Sequence, residues 1–253
     1  MTKVIAFINQ KGGVGKTTTN FHFAAFLKRQ GKKVLCIDLD AQGSLSYCLG
    51  AKTEGENTVY EFLTSAATFE ETVQSRENGD VLAADNALGI YSAKLDGKYN
   101  LLDAQLKKVK DKYDFILIDC PPGINIYNYN ALACATDVVV TVQAEALSLL
   151  GLPQVFNLVR NCEQLFGRKI HVAGVLVTMY NSVAKVASAM REQLREVTEP
   201  YGIKTYDTAV KKLTAIGTAT AMGQTVFEYA PKSQAATLYE NACVEILESV
   251  ISK

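Results

Sequence analysis

The sequence has no net charge and few of the residues that usually bind metals. Its 253 residues include 26 Lys+Arg and 26 Asp+Glu, so the formal net charge is zero, and it has only two histidines and no tryptophan. A chain with equal numbers of positive and negative side chains is not attracted to nucleic acid or to an anionic membrane by its net charge. Any binding to nucleic acid must therefore come from a local cluster of basic side chains.

The six cysteines are dispersed, contain no CxxC pair and show no pairing pattern with the histidines. Zinc sites and disulfide frameworks of ordinary spacing are therefore not indicated, and we expect the cysteines to be core residues in a reducing compartment. No apolar run approaches the roughly 20 residues of a membrane span. The first three residues lead directly into an apolar segment rather than a signal peptide. These absences predict a cytoplasmic protein.

The composition is that of a chain with a large core. Hydrophobic residues make up 48% of the sequence and charged residues 21%, which is enough to fold without disulfides or structural metals. Short apolar segments alternate with helical patterns, without internal repeats or a low-complexity linker. This order predicts a three-layer α/β fold with helices on both faces of a doubly wound, mostly parallel sheet. We expect residues 1–253 to form a single domain.

A glycine-rich segment lies between the first apolar run and the first helical pattern. Residues 4–8 predict a buried strand, and a helix is expected to begin near Lys16. Glycines at this point let the backbone turn tightly and direct its N–H groups inward, beside the positive end of the helix dipole. Lys16 could then reach the outer phosphates of a nucleotide, and Thr17 could bind magnesium. The predicted nucleotide-binding residues of this loop are Gly12, Gly13, Val14, Gly15, Lys16, Thr17 and Thr18.

The loop departs from the common G-x-x-x-x-G-K-[ST] pattern in two ways. Gln10 stands in place of the first glycine, and a second lysine, Lys11, lies directly before Gly12. The run from Lys11 to Thr18 resembles the deviant Walker A box of the ParA/MinD superfamily of P-loop ATPases. The resemblance implies a P-loop NTPase fold, ATP and Mg²⁺ as cofactors, and a homodimer that encloses ATP. It also implies that Lys11 acts with Lys16 in catalysis, by reaching the nucleotide of the partner protomer.

A second apolar segment, predicted as a strand over residues 33–40, ends in two carboxylates. Asp38 and Asp40 are two residues apart, so a regular strand places both on one side, at the edge where open α/β sheets bind ligands. A single aspartate here could instead cap the next helix. The segment resembles the D-x-D-P-Q-G-N box of the superfamily, with Ala41 in place of proline. That match implies that Asp40 is catalytic, orienting the attacking water, and that Asp38 orders the water shell of the metal.

A third apolar strand ends at Asp119 and is followed by Pro-Pro-Gly. Any buried strand could end in aspartate, but after a phosphate loop this pattern predicts a Walker B carboxylate that faces magnesium through water. It resembles the D-x-P-P switch of the superfamily. The predicted metal-site residues are therefore Thr17, Asp38 and Asp119.

One later segment is expected near the nucleotide. Met179-Tyr180-Asn181 closes a strand and is similar to the family's M-Y-[DN], so we expect Tyr180 and Asn181 to bind near the base, although such residues are also common in turns.

Three positions depart from the patterns that are common in the family. Ala144 replaces the proline of a Q-P-E box, while Leu213 and Thr218 replace an asparagine and a glutamate.

The resemblance covers nearly the whole chain and implies a ParA/Soj-type ATPase that segregates plasmid or chromosomal DNA. In that family the ATP dimer binds DNA without sequence preference and is released by a ParB-like partner, which implies a nucleoid-associated protein. Such binding depends on basic side chains that contact phosphates. The candidate DNA-binding residues are Lys185, Arg191, Arg195, Lys211 and Lys212.

Two other classes remain open. A MinD-like regulator would need a basic amphipathic C-terminal helix, whereas the last 15 residues contain three glutamates; we therefore expect no stable membrane association. The other open class comprises relatives with a metabolic or redox function, such as nitrogenase iron protein or dethiobiotin synthetase. Cys120 and Cys134 could suggest a cluster-binding protein, but Cys120 adjoins the Walker B aspartate and is expected to be a packing residue.

Overall fold

The computed structural model of the chain describes residues 1–180 and 192–252. Within this part, eight strands form one sheet in the order β3-β4-β2-β5-β1-β6-β7-β8. Neighbouring strands are parallel, except that β3 and β4 are antiparallel. The strands are β1 (Lys3–Ile8), β2 (Val34–Asp38), β3 (Gln74–Arg76), β4 (Gly79–Leu82), β5 (Phe115–Asp119), β6 (Asp137–Gln143), β7 (His171–Tyr180) and β8 (Thr205–Lys211).

Helices connect the strands and cover the sheet. They are α1 (Lys16–Arg29), α2 (Ser44–Cys48), α3 (Val59–Thr64), α4 (Phe69–Thr72), α5 (Ala87–Ile90), α6 (Leu101–Leu106), α7 (Ile126–Cys134), α8 (Ala146–Leu149), α9 (Leu152–Phe166), α10 (described over 192–198), α11 (Thr214–Ala221), α12 (Val226–Tyr229) and α13 (Gln234–Ile251). Short 3₁₀ turns lie at Ser92–Leu95, Lys110–Lys112 and Glu199–Tyr201.

The core lies on both faces of the sheet, and the central strand shows why. In β1, Ala6 and Ile8 belong to one apolar cluster, whereas Ile5 and Phe7 belong to the other. Successive side chains of a strand point to opposite faces, so a strand that is covered on both sides is apolar at every position. The first cluster includes residues of α3, α6, α7 and α9, and the second includes residues of α1, α2, α12 and α13. The predicted three-layer α/β fold is confirmed.

Helix α1 is covered on two sides, by the sheet and by α13. His22, at its centre, is fully buried and stacks on Tyr239 of α13, with 4.0 Å between ring centroids. Its Nδ1 lies 2.7 Å from the carbonyl oxygen of Thr18, and its Nε2 accepts the Val226 amide at 3.0 Å. The ring is therefore neutral with the proton on Nδ1, and burial lowers the pKa of His22 to about 4. One imidazole thus joins the first helix to α12.

Helix α13 ends the described chain and packs on the domain, as its glutamates suggested. Its apolar residues, among them Ala242, Ile246 and Val250, are buried. Glu245 points the other way and accepts the backbone amides of Asp207 and Thr208 in the edge strand β8, at 2.7 and 2.9 Å. In the described part of the chain, no helix is both long and apolar enough to cross a bilayer.

Some boundaries differ from those expected. Residues 101–112 and residues 147–166 each have the pattern of one helix, but the first helix ends at Leu106 and the second segment is divided into α8 and α9 at Gly151, just before Pro153. Glycine and proline are the usual residues at such breaks. The predicted strand over 33–40 ends at Asp38. The short edge strand β3 and the strand β8 were not predicted, because neither has a long apolar run.

The neutral state of His22 makes stability depend on pH. The pKa of His22 is about 6.5 in the unfolded chain and about 4 in the folded protein. The contribution of the neutral ring to stability is therefore lost as the pH falls through this window. We expect the difference in free energy of unfolding between the parent and His22→Gln to shrink by about 2 kcal/mol from pH 7 to pH 5. Urea titrations at both values measure it, and other titrating groups cancel in the difference. A difference that stays constant would contradict the neutral, buried ring.

Candidate nucleotide-binding site

The candidate site lies where the sheet connections change direction. Strand β1 is flanked by β5 on one side and β6 on the other, and the segment after it joins α1. Open parallel sheets bind ligands at the carboxyl ends of their strands at such a point. The predicted phosphate loop therefore occupies the expected place in the fold.

Two of the three glycines of the loop have the backbone geometry that only glycine adopts easily. The φ angles of Gly13 and Gly15 are +70° and +80°, and a Cβ on Gly15 would also lie 3.4 Å from the Thr178 side chain. Gly12 has no positive φ, and a Cβ there would meet only Pro122, at 3.9 Å. Helix α1 begins after Gly15 with no side-chain cap and no acidic residue in its first turn. Its first N–H groups are thus available to an anion.

Side chains from neighbouring strands hold the loop in shape. Asn9 accepts the amide of Lys11 at 2.9 Å and donates to the carbonyl of Thr141 at 2.6 Å. The buried Thr178 hydroxyl, at the end of β7, donates to the carbonyl of Val14 at 2.9 Å. The C=O and N–H of a trans peptide point in opposite directions, so this bond directs the next N–H away from β7. Sequence analysis missed Thr178, because its partner is 164 residues away.

Lys16 and Thr17 begin α1 and face the acidic residues at the strand ends. Lys16 is buried and its ammonium group donates to the carbonyl of Lys11 at 3.2 Å. Burial lowers the pKa of Lys16, while the nearby Asp119 opposes that shift. The Thr17 hydroxyl donates to Asp119 Oδ2 at 2.5 Å. The loop and the strand that ends at Asp119 are therefore in direct contact.

Asp119 and Asp38 lie side by side because the register of β2 and β5 pairs them. Both carboxylates are buried. Burial raises the pKa of Asp119 well above its usual range, and the charge of Asp38 adds to the increase. Burial likewise raises the pKa of Asp38 to about 6, although bonds from Ser46 and Asp40 oppose this. Two adjacent buried carboxylates mark a place where a cation would be favourable.

Asp38 and Asp40 differ in role more than their spacing predicts. Asp38 accepts both the amide and the hydroxyl of Ser46, each at 2.8 Å, and thereby fixes the first turn of α2. Asp40 lies beyond the end of β2, so it does not share a strand face with Asp38. It is half-buried, lines the nucleotide cavity and accepts the Gln42 amide through Oδ1 at 3.0 Å. Asp40 is therefore the carboxylate that is open to a ligand.

The residues present fit a magnesium ion that is bound together with a nucleotide. Asp119 Oδ1 is buried and has no hydrogen-bond partner among the described residues. The described residues contain no cluster of three or more His, Cys, Asp or Glu that could hold an ion alone. Magnesium usually binds through one or two protein oxygens, several waters and substrate phosphates. Thr17 and Asp119 provide such a partial ligand set, and Asp38 lies beside them.

A cavity of about 1350 Å³ extends from the phosphate loop across the ends of β7 and β8 to α11. Thr178 and Met179 line it, and Met179 has an unusual φ of +51° for a residue that is not glycine. Tyr180 is not among the lining residues and packs against the core, and its carbonyl accepts the amide of Lys212. The predicted base contact by Asn181 lies outside the described residues.

The candidate DNA-binding residues that the structure describes lie on different elements. Lys185 and Arg191 lie outside the described residues, and Arg195 is exposed on α10. Lys211 and Lys212 line the same cavity as the phosphate loop. Leu213 also lines this cavity, as does Thr218 of α11, so two of the departures from the family pattern face the expected nucleotide.

The side chain of Lys11 contacts the end of β6 and helix α8, and Lys11 is not among the residues that line the nucleotide cavity. Its ammonium group donates to Gln143, Glu145 and Ser148 at 3.1, 2.9 and 3.1 Å. Between two of these residues, Ala144 donates its amide to the carbonyl of Thr178 at 3.1 Å. Proline, the usual residue of the family here, has no N–H to donate. The alanine therefore adds a bond between β7 and the segment that contacts Lys11.

The parallel sheet, the glycine loop and the paired aspartates define a P-loop nucleotide-binding protein. A sequence profile of the AAA domain family matches residues 2–172. The chain is similar to the chromosome-partitioning ATPase Soj of Treponema pallidum, with 32% identity over 98% of this chain and 98% of that protein. It is 34% identical to the sporulation initiation inhibitor protein Soj of Bacillus subtilis, over 97% and 98%.

Among solved structures, the chain is similar to cobyrinic acid a,c-diamide synthase of Mycobacterium smegmatis with bound ADP and magnesium, with a TM-score of 0.83 and 29% identity over 98% and 95% of the two chains. The similarity to each Soj protein spans nearly the full length of this chain and of that protein. The chain therefore belongs to the ParA/Soj family of ATPases.

The bond from Thr178 to the phosphate loop can be tested with two variants. Thr178→Val keeps the shape of the side chain but leaves the buried carbonyl of Val14 without this donor, at a cost of about 1–3 kcal/mol. We expect the Kd for magnesium–ADP to rise about five-fold, by calorimetry, if half of that cost, about 1 kcal/mol, falls on binding. Thr178→Ser keeps the hydroxyl and should bind like the parent. Equal affinity of Thr178→Val and Thr178→Ser would remove the proposed positioning of the loop.

Proposed function

We propose that residues 1–253 act as one ATPase domain that uses ATP and magnesium to segregate DNA. The observation that carries the proposal is the 32% identity to a chromosome-partitioning ATPase over nearly the whole of both chains. The site supports it, because the lysine that marks the deviant loop, Lys11, does not line the nucleotide cavity of its own chain and instead contacts Gln143, Glu145 and Ser148.

In this proposal the loop and the strand ends share the binding of ATP. The N–H groups of the loop and Lys16 hold the phosphates, while Thr17 and Asp119 hold the magnesium ion, directly and through water. When bound, the ion neutralises charge on the phosphates during cleavage of the β–γ bond. Asp40, which is open to the cavity, orients the attacking water. Asp38 keeps the segment that carries Asp40 in place through Ser46.

Assembly then controls the reaction. Two protomers bind face to face around two nucleotides, and Lys11 of each completes the site of the other. The dimer binds DNA without sequence preference, and a ParB-like partner stimulates hydrolysis and releases it. ATP binding and hydrolysis thus set the time that the protein spends on DNA. In this proposal the protein is cytoplasmic and associated with the nucleoid.

Three substitutions separate the proposed roles. Lys16→Ala is expected to lose nucleotide binding, because it removes the charge beside the phosphates. Lys11→Ala should bind ATP like the parent but remain a monomer, and Asp40→Ala should accumulate as an ATP dimer with hydrolysis reduced at least 100-fold. Calorimetry, sedimentation velocity and phosphate release measure the three outcomes. An Asp40→Ala variant that hydrolyses ATP at the parent rate would contradict the catalytic assignment.

The DNA role is tested by fluorescence anisotropy with random-sequence duplex, comparing magnesium–ATP with magnesium–ADP. We expect tight binding only with ATP and a steep decrease with salt, because phosphate contacts release counterions. Replacing a contacting lysine or arginine by alanine should lower the slope of log K against log salt by about one. Arg195→Ala and Lys212→Ala are the first variants, and the exposed Lys232→Ala is the matched control.

ATP affinity must be measured for each variant, because Lys212 lines the nucleotide cavity. Binding in neither nucleotide state would contradict the DNA role of the chain. A loss of DNA binding that only accompanies a loss of ATP binding would contradict the contact assigned to Lys212.

A second candidate function is the positioning of proteins at a membrane or another surface. It is favoured by similarity to the septum site-determining protein MinD of Pyrococcus horikoshii complexed with magnesium–ADP, with a TM-score of 0.79 and 25% identity over 97% and 96% of the chains. The burial of the apolar side of α13 argues against an anchor there. Pelleting with anionic vesicles in ATP distinguishes the two functions, since the DNA-segregation proposal expects no co-sedimentation.

A further inference from the structure

Helix α11 forms one wall of the nucleotide cavity and is lightly attached to the domain. Of its eight residues, only Ala219 is fully buried. Residues 213–227 contain no charged side chain, so no ion pair fixes the helix. A segment with few buried apolar residues opens at low cost. The residues of α11 that line the cavity are Thr214, Ile216, Gly217, Thr218, Thr220 and Ala221.

The end of α11 is joined to α2 by Tyr47. The hydroxyl of Tyr47 donates to the carbonyl of Ala221, the last residue of α11, at 2.8 Å. The last carbonyls of a helix have no partner within the helix. Those of residues 218–220 accept the backbone amides of residues 222–224. Tyr47 thus provides the donor for the carbonyl that this turn leaves open.

The helix that carries Tyr47 is itself firmly held. Three of the five residues of α2 are buried, and one of them is Ser46. Its amide and hydroxyl both donate to Asp38 at 2.8 Å, and its Oγ accepts the amide of Ala84 at 2.8 Å. Helix α2 is therefore a fixed support beside the candidate metal site, and Tyr47 extends that support to α11.

Tyr47 also lies at the boundary of two cavities. Together with Cys48 it lines both the nucleotide cavity and a neighbouring cavity of about 540 Å³. The second cavity is also lined by Met222 and Gly223, which directly follow α11. The bond from Tyr47 to Ala221 therefore lies where the nucleotide cavity would open if the end of α11 moved away from α2.

We propose that Tyr47 is a positioning residue, which holds α11 against the nucleotide cavity through the carbonyl of Ala221 and thereby slows the release of bound nucleotide. The inference rests on the proposed function, because it takes nucleotide binding in this cavity from there. Tyr47 acts through α11 and does not contact the reacting atoms. Since ADP must leave before ATP can bind again, the bond sets the interval between two cycles of the ATPase.

The strength of the bond suits a helix that must open in every cycle. Tyr47 is 63% exposed, so water competes for its hydroxyl and the net contribution of the hydrogen bond is small. Loss of one such bond changes an equilibrium about five-fold. Because the nucleotide leaves when α11 is open, we expect the release rate to change by the same factor.

The test uses Tyr47→Phe, which removes only the hydroxyl, with Tyr229→Phe as the matched control. Tyr229 is also an exposed tyrosine, in the neighbouring helix α12, and is not among the lining residues of either cavity. The first readout is amide hydrogen exchange in the nucleotide-free protein, measured by mass spectrometry. We expect exchange in residues 214–224 to be about five-fold faster in Tyr47→Phe, with α1 unchanged, and no change in the control.

The second readout is the release of ADP that carries a fluorescent N-methylanthraniloyl group, measured by stopped flow with magnesium and an excess of unlabelled ADP. Release should be about five-fold faster from Tyr47→Phe and unchanged in Tyr229→Phe. Equal exchange of α11 in Tyr47→Phe and the parent would overturn the hold on α11. Faster exchange in α1 as well would assign the effect to the whole fold and overturn the local role. Faster exchange of α11 with unchanged release would overturn the control of release.

The two readouts separate this inference from the proposed function. If the parent does not bind the labelled ADP, the nucleotide site of the proposed function fails, and with it the control of release. Hydrogen exchange still decides whether Tyr47 holds α11, because it is measured without nucleotide.

Discussion

The site depends on the register that aligns β1, β2 and β5. In that register Asp119 is paired with Phe7 on one side and with Asp38 on the other. The phosphate loop leaves β1 one residue after Phe7, so the loop and both carboxylates meet at the same height of the sheet. Thr17 then reaches Asp119 directly. A shift of one strand by one residue would turn these carboxylates to the other face, and the nucleotide site would be lost.

The same register brings charged groups together in the protein interior, where their charged forms are destabilised. Asp38 and Asp119 are buried beside each other, and burial raises the pKa of each. Lys16 is the nearby positive charge, and burial lowers its pKa as well. The charged forms of these groups have a higher free energy in the free protein than they would have with a divalent cation and phosphates between them. The buried charges therefore lower the stability of the free protein and raise its affinity for a nucleotide with a divalent cation.

The elements with strong local signals were predictable from sequence. Strands β1, β2 and β5 are short, unbroken apolar runs, and their buried position on both faces explains why. Glycine at 13 and 15 is required by the backbone, so the loop was recognisable. Strand β8 was not predicted because it has no long apolar run, and only two of its seven residues are buried. The division between α8 and α9 was also missed, although Gly151 and Pro153 mark it.

In the site, sequence identified the residues that meet a ligand better than those that hold them in place. Thr178 and Ser46 form side-chain bonds that have no local motif, and the partners of Lys11 lie more than 130 residues away. The spacing of Asp38 and Asp40 suggested that both lie on one side of a strand, but β2 ends at Asp38. The sequence suggested Lys211 and Lys212 as DNA contacts, and the fold places them in the same cavity as the phosphate loop.

The bond between Glu245 and the edge strand β8 affects how copies of the protein meet. An open sheet edge carries unpaired amides and invites strand-to-strand association. Glu245 occupies the amides of Asp207 and Thr208 from the C-terminal helix, so a second sheet cannot add there without displacing it. Self-association through this edge of the sheet is thereby discouraged, so a carboxylate of the C-terminal helix protects the sheet from adding a further strand.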